Sequence, residues 1–147
     1  MGMTHANYGR RIGAFLVDIL FAIVPATVLL VVGLTLLIGT DNVGLGVMML
    51  LLGGGWVLVG GIWNKIFREG RTGQSIGKSM CSIALVDSTS GQPIGPGKAF
   101  VRELLTSVLS AVTGGIFPIV DYLFPLWDSQ HQRIIDKMVG TVVVSRG

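Results

Sequence analysis

Two aspartates stand where a carboxylate is costly to keep. Asp18 interrupts the apolar run Ile12 to Ile38, and Asp121 is enclosed by Ile116 to Val120 and Tyr122 to Phe124. An aspartate inside a membrane span costs about 2.5–3.5 kcal/mol on insertion scales. Such a residue faces a bundle interior or a water cavity and needs a partner. Arg11 lies seven residues before Asp18, about 10 Å along a helix axis and on the same face. Two roles fit Asp18: part of a proton or cation pathway, or an anchor that holds a helix bundle together. Arg102, early in a later apolar segment, is the natural counter-charge for a buried carboxylate. Alternatively, Lys98 and Arg102 mark the cytosolic end of a helix and snorkel to headgroups. Asp128, Gln132 and Asp136 recur every four residues. If 128–139 is helical, they form one polar face, which is ordinarily a solvated one. The candidate ion or buried-charge cluster is therefore Arg11, Asp18, Arg102, Asp121 and Asp136, with Asp128, Gln132 and Lys137 in support.

Other chemistry finds little footing. Gly73-Gln74-Ser75-Ile76-Gly77-Lys78-Ser79 has a phosphate-loop look, but only three residues separate its glycines and no strand precedes it. A phosphate loop needs four. His5 and His131 are isolated and lack metal-ligand spacing. Cys81 is the single cysteine, which excludes an internal disulfide and a cysteine-based zinc site. A small apolar filler is its simplest role. No nucleophile–base set or paired catalytic carboxylates occur, so no enzyme, cofactor or metal is expected.

The elements that must position the cluster are membrane elements. Only 13% of the 147 residues are charged and half are apolar, with mean hydropathy +0.71. Soluble domains are about one quarter charged. The charges are segregated: between Ile12 and Asn64 only Asp18 and Asp41 carry charge. The net charge of +3 comes from residues flanking apolar runs. That pattern fits orientation by the positive-inside rule, and no groove-reading motif supports nucleic acid as a partner. The reading is one domain, 1–147, all-α and membrane-embedded. Full transmembrane helices are expected over about 12–38 and 43–63, and a cytosolic loop over 64–97. Arg10-Arg11 could instead begin a secretory signal, but the run is too long and no cleavage site follows. Pro25 should weaken the first helix locally. Seven glycines fall between Gly44 and Ile62. Gly53, Gly54, Gly55, Gly60 and Gly61 are expected to mark a close helix–helix contact, and Trp63 an interfacial anchor.

A third apolar segment, about 99–127, is broken by Arg102 and Glu103, by Gly114-Gly115, by Pro118 and by Asp121. Each half is about 20 Å long at helical rise, too short to cross alone. It is either a single broken span or a re-entrant hairpin turning at Gly114-Gly115. Ser82 to Val86 and Gly140 to Ser145 read as short strands. Their pairing in a small cytosolic β-hairpin, together with Arg133, Lys137 and Arg146, favours the re-entrant form.

These residues resemble the RDD family of small membrane proteins, named for an arginine and two aspartates. The opening is Tyr8-Gly9-Arg10-Arg11-Ile12-Gly13-Ala14-Phe15-Leu16-Val17-Asp18. A glycine–lysine loop follows at 73–78, a second arginine helix at 98–102, and the ending at 128–144. The resemblance implies Arg11, Asp18 and Asp136 as the name-giving residues. Members often carry a histidine just before the last aspartate, whereas here Ile134-Ile135 precede Asp136.

The family has been linked to transport, including cation/proton exchange. The resemblance thus implies transport or exchange of a small cation or proton. Asp18 would bind the ion, Arg11 and Arg102 would tune it, and Asp136 would act near the cytosolic mouth. The alternative is a non-catalytic accessory or assembly subunit of a larger membrane complex, with the same charges as structural pins. Both readings place the chain in the cell membrane as a multi-pass protein with a cytoplasmic N-terminus. Its expected partners are the lipid bilayer and either further copies of itself or other membrane subunits.

Overall fold

The computed structural model describes residues 4–146. Helix α1 spans Tyr8–Gly39. Asn7 opens it, its side-chain oxygen accepting the Gly9 N–H at 2.9 Å. Pro25 lies inside α1 without ending it. Helix α2 runs as one rod over Val43–Thr72. It is α-helical to Gly55 and contains two wider stretches, Trp56–Gly60 and Trp63–Arg68, with i→i+5 bonding. Among the described residues these two helices are long and apolar enough to cross a membrane.

Small residues set how closely α1 and α2 approach. A Cβ built on Gly46 would lie 2.9 Å from the Gly33 carbonyl oxygen. Gly53 backs onto Ala26 and Leu29. The expected glycine contact therefore exists, but through Gly33, Gly46 and Gly53. Around Gly54, Gly55 and Gly61 there is open space. Successive helical residues turn by about 100°, so neighbours of Gly53 cannot share its face.

The expected cytosolic loop starts later than Asn64, because α2 stays helical to Thr72. After it come α3 (Ile76–Met80), β1 (Ile83–Asp87) and α4 (Gly95–Val112). The chain then reverses at Gly114 and Gly115, whose φ angles of +62° and +87° suit glycine. Helix α5 (Ile116–Leu123) and a 3-10 turn (Phe124–Leu126) run back. Helix α6 (Ile134–Val139) leads into β2 (Thr141–Ser145). The third apolar segment thus traces a helical hairpin rather than one broken rod. Its arms are about 27 and 12 Å long at helical rise.

Strands β1 and β2 pair antiparallel, from Ile83 opposite Ser145 to Asp87 opposite Thr141. They are not a β-hairpin, since α4, α5 and α6 intervene. The N-terminal segment joins them: Ala6 N–H donates to the Val143 carbonyl, and Ser145 N–H to that of Thr4. A two-stranded sheet is marginal by itself. Here Ile83, Leu85 and Val143 pack with Ala6, Ala14, Ile94 and Ala99. Ala84, Val86, Val142 and Val144 cluster on the other face.

Helix α3 lies against α1 so closely that a Cβ on Gly77 would fall 1.9 Å from the Ala14 carbonyl oxygen. Gly77→Ala should therefore push α3 off α1 and cost about 3 kcal/mol, at the top of the usual range for overpacking. Gly54→Ala, in open space inside a helix, should leave the protein as stable as the parent or up to about 1 kcal/mol more stable. Denaturant unfolding in detergent compares the two.

Candidate functional site

The sequence-derived cluster resolves into separate nodes. At the first, Asp18 is buried at 6% exposure and fully engaged. Its Oδ1 accepts from Asn64 Nδ2 at 2.9 Å and from the Gly77 N–H at 2.8 Å. Its Oδ2 accepts from Lys65 Nζ at 2.9 Å and from Ser75 Oγ at 2.6 Å. The partners come from two places for two local reasons. Asn64 and Lys65 sit in the wider turn of α2, where consecutive residues both reach the carboxylate. Ser75 caps α3, accepting the Lys78 N–H, and α3 brings the Gly77 amide along. Arg11, although on the same face of α1, does not pair with Asp18.

The second node is Asp136, in the first turn of α6 and 0% exposed. Arg102 donates to its Oδ1 at 2.6 Å, and Arg11 Nη1 lies 3.5 Å from its Oδ2. The Arg133 N–H also donates to Oδ2, at 3.1 Å. Burial pushes the Asp136 carboxyl up, but Arg102 and Arg133 outweigh it and hold the group below the ordinary aspartate value. Arg102 is therefore no snorkelling residue at a helix end: its side chain is 5% exposed and bonded inside the protein.

Asp121, also 0% exposed, forms a third node. Arg133 binds its Oδ2 through two guanidinium nitrogens, and the Ile135 N–H donates to its Oδ1 at 3.0 Å. The same guanidinium lies 3.9 Å from the Tyr122 ring centroid.

Asp128, Gln132 and Asp136 do not share a helical face. Residues 128–133 are a loop, and only Ile134–Val139 is helical. The Asp128 carboxylate folds the loop by accepting the Gln130 and Gln132 N–H groups, and it pairs with Lys137. Burial raises its pKa, but the Lys137 hydrogen bond and the Gln132 amide lower it further. Gln132 turns inward and donates to the Thr141 carbonyl at 2.9 Å.

Sequence reasoning missed a fourth buried carboxylate. Glu69, 1% exposed, pairs with Lys78 and lies 3.8 Å from Arg102. Burial pushes the Lys78 ammonium down to about 8, with Glu69 opposing that shift. Lys65 and Glu69 are four apart, a helical spacing that signals α2 continuing past Trp63. Among the described residues no acidic or histidine group is arranged to hold a metal ion.

A cavity of about 310 Å³ joins these nodes. Its charged lining is Arg11, Asp18, Lys65, Lys78, Arg102, Glu103 and Arg133.

A family model described as the RDD family matches residues 5–140. The chain belongs to the RDD family. Of the three residues that the family resemblance singled out, Arg11 and Asp136 meet, whereas Asp18 sits in its own node. The chain is 43% identical over 94 residues to the proline-rich antigen homolog of Mycobacterium tuberculosis, in strains CDC 1551 / Oshkosh and H37Rv. That match covers 60% of this chain and 37% of the relative. The proline-rich antigen of Mycobacterium leprae (strain TN) is 36% identical over 99 residues, covering 66% of this chain and 38% of the relative. The chain thus spans somewhat under two fifths of the length of these curated relatives. No solved structure matches.

Removing one partner of a buried pair costs about 3–5 kcal/mol, so Asp136→Ala should destabilise by that order. The Asp136 contribution is fully present above the ordinary aspartate value and is lost as pH falls through its depressed folded value. Stability of the detergent-solubilised protein should therefore fall with acidification. Asp136→Asn should start lower at neutral pH and show a flatter acid limb in the same unfolding assay.

Proposed function

We propose that this protein is a non-catalytic membrane module, an accessory or assembly subunit whose buried charges pin its elements together. One observation carries the reading: Asp18, Glu69, Asp121 and Asp136 each bind a cation supplied by another element. A carboxylate that carries cargo needs free lone pairs, and Asp18 already accepts four hydrogen bonds.

The same geometry supports a level for the bilayer. Ile19 to Gly39 and Val43 to Trp63 are each 21 residues, about 31 Å at helical rise. That length matches the hydrocarbon core. The Asp18–Lys65 node then sits at the membrane edge, where a charge is far cheaper than at mid-bilayer. The arginines and lysines below it support a cytoplasmic side for the N-terminus, the sheet and the C-terminal strand, by the positive-inside rule. The protein is then multi-pass, with the α4–α5 hairpin re-entering from the cytoplasmic side. Gly54 and Gly61 of α2 each have open space where a Cβ would stand. Such glycines admit close approach by another helix, from a second copy or another subunit.

A second reading, exchange of a small cation or proton, is favoured by one feature: Asp18 and Lys78 both line the cavity. Asp18→Asn separates the two, because it keeps the side-chain shape but cannot titrate, and its single carbonyl oxygen keeps only two of the four accepted hydrogen bonds. The pin reading expects poorer accumulation or loss of a co-purifying partner, with proteoliposome flux per folded molecule unchanged. Lost ion or proton flux at normal expression would establish exchange instead. For topology, a cysteine placed after Val144 with Cys81 replaced should label only from the cytoplasmic side. Labelling from outside would remove the re-entrant arrangement.

A further inference from the structure

Among the described residues, one buried guanidinium shares its carboxylate with another. Lys65 with Asp18, Lys78 with Glu69, Arg133 with Asp121 and Arg102 with Asp136 make four one-to-one pairs. Arg11 has no carboxylate of its own among the described residues. It only shares Asp136 with Arg102, at 3.5 Å, and gives one hydrogen bond, to the Val143 carbonyl at 3.3 Å. The remaining acidic neighbour, Glu103, is 36% exposed and 3.8 Å from Arg102.

Unused donors lie at the same place. The Arg11 side chain is 9% exposed and that of Arg102 is 5% exposed. Arg11 Nε and Nη1 and Arg102 Nε are buried with no hydrogen-bond partner among the described residues. Both side chains line the 310 Å³ cavity. A buried guanidinium N–H left without an acceptor is expensive, and the acceptor it suits best is a planar or tetrahedral oxyanion.

The cavity also has an apolar arm. Ile12, Phe15, Ile19 and Ala22 line it from α1, at helical spacings that make one stripe rising from Arg11. On the other side stand Thr106 of α4 and Tyr122 of α5. Helix α1 touches the hairpin there through the Phe15–Tyr122 ring contact at 4.5 Å and the Tyr8 hydroxyl on the Tyr122 carbonyl. The stripe climbs about 16 Å from Arg11 to Ala22. It begins at the cationic base and ends past Asp18, within the stretch assigned to hydrocarbon.

We propose that this cleft binds an anionic phospholipid, its phosphate held by Arg11 and Arg102 and the start of its acyl chain lying along Phe15, Ile19 and Ala22. The phosphate supplies acceptor oxygens to the Arg11 and Arg102 nitrogens that have no partner. The volume suits a headgroup and the first part of a chain, and the rest of the lipid extends into the bilayer. This inference rests on the membrane placement above. The two fail separately: a chain that stays soluble without detergent loses both, whereas a detergent-requiring chain with no lipid preference loses only this one.

The test uses the full chain in mild detergent with phosphatidylglycerol, phosphatidylcholine of the same acyl composition, and inorganic phosphate. Lipid adducts are read by native mass spectrometry and thermal stability by unfolding. Phosphatidylglycerol should bind at about one per chain, survive activation that strips phosphatidylcholine, and raise the unfolding temperature. Arg11→Gln should weaken that binding at least about tenfold. Ala22→Trp fills the apolar arm while leaving every ion pair in place, and it should weaken phosphatidylglycerol by a similar factor without unfolding the protein. If Arg11→Gln does not fold, Ala22→Trp decides. Equal retention of both lipids, or the same stabilisation by inorganic phosphate alone, would overturn the proposal. So would unchanged phosphatidylglycerol binding by a folded Ala22→Trp variant.

Discussion

A carboxylate with no solvent contact must be matched by a cation, and Asp136 is the carboxylate on which the most elements converge. It draws Arg102 from α4 and Arg11 from α1, while its own helix α6 leads directly into β2. Two ionic contacts to one carboxylate therefore fix the hairpin, the first helix and the C-terminal strand relative to one another. Each cation is held in turn. Arg102 also faces Glu69 of α2, so the second helix joins the same network. Pairs of this kind add little net stability over a packed apolar core, but breaking one is costly. Their effect is on which arrangement is adopted more than on how stable it is.

Asp18 does analogous work one level higher. Its four acceptor contacts tie α1 to α2 and to α3. The wide turn at Trp63–Arg68 presents Asn64 and Lys65 together, and Gly77 lets α3 approach the α1 backbone. Two apolar arms of equal length extend beyond this level. The molecule divides there into a polar foot, where charges pair and strands are paired, and a plain apolar upper part with a glycine-mediated crossing. Among the described residues the ion pairs are confined to the foot, in accord with the proposed module that anchors or assembles. Arg11 shares Asp136 with Arg102, and the unpartnered nitrogens of these two guanidiniums make the cleft beside them a candidate lipid site.

Much of this was legible from residue order. The two long apolar runs, the punctuating Gly114-Gly115, the β-branched strands and the family-like positions of Arg11, Asp18 and Asp136 all lie in local pattern. Local pattern carries them because hydrophobic period, turn conformation and propensity act between near neighbours. Where the pattern misled, the cause was also local. Asp128, Gln132 and Asp136 have helical spacing, yet Asp128 bonds backbone amides and holds a loop there. The polar residues after Trp63 read as loop, although Lys65 and Glu69 kept helical spacing.

The sequence alone determined which segments avoid water, where the chain turns and which residues carry charges too expensive to leave unmatched. Tertiary structure alone decided the matching: Asp18 with Lys65 rather than Arg11, Arg102 with Asp136 and Glu69, Asp121 with Arg133, and Arg11 sharing Asp136. Attraction between charges carries no sequence register. Any of several cations could have met any of these carboxylates, and the choice was made by how α3, the hairpin and the sheet pack against α1 and α2.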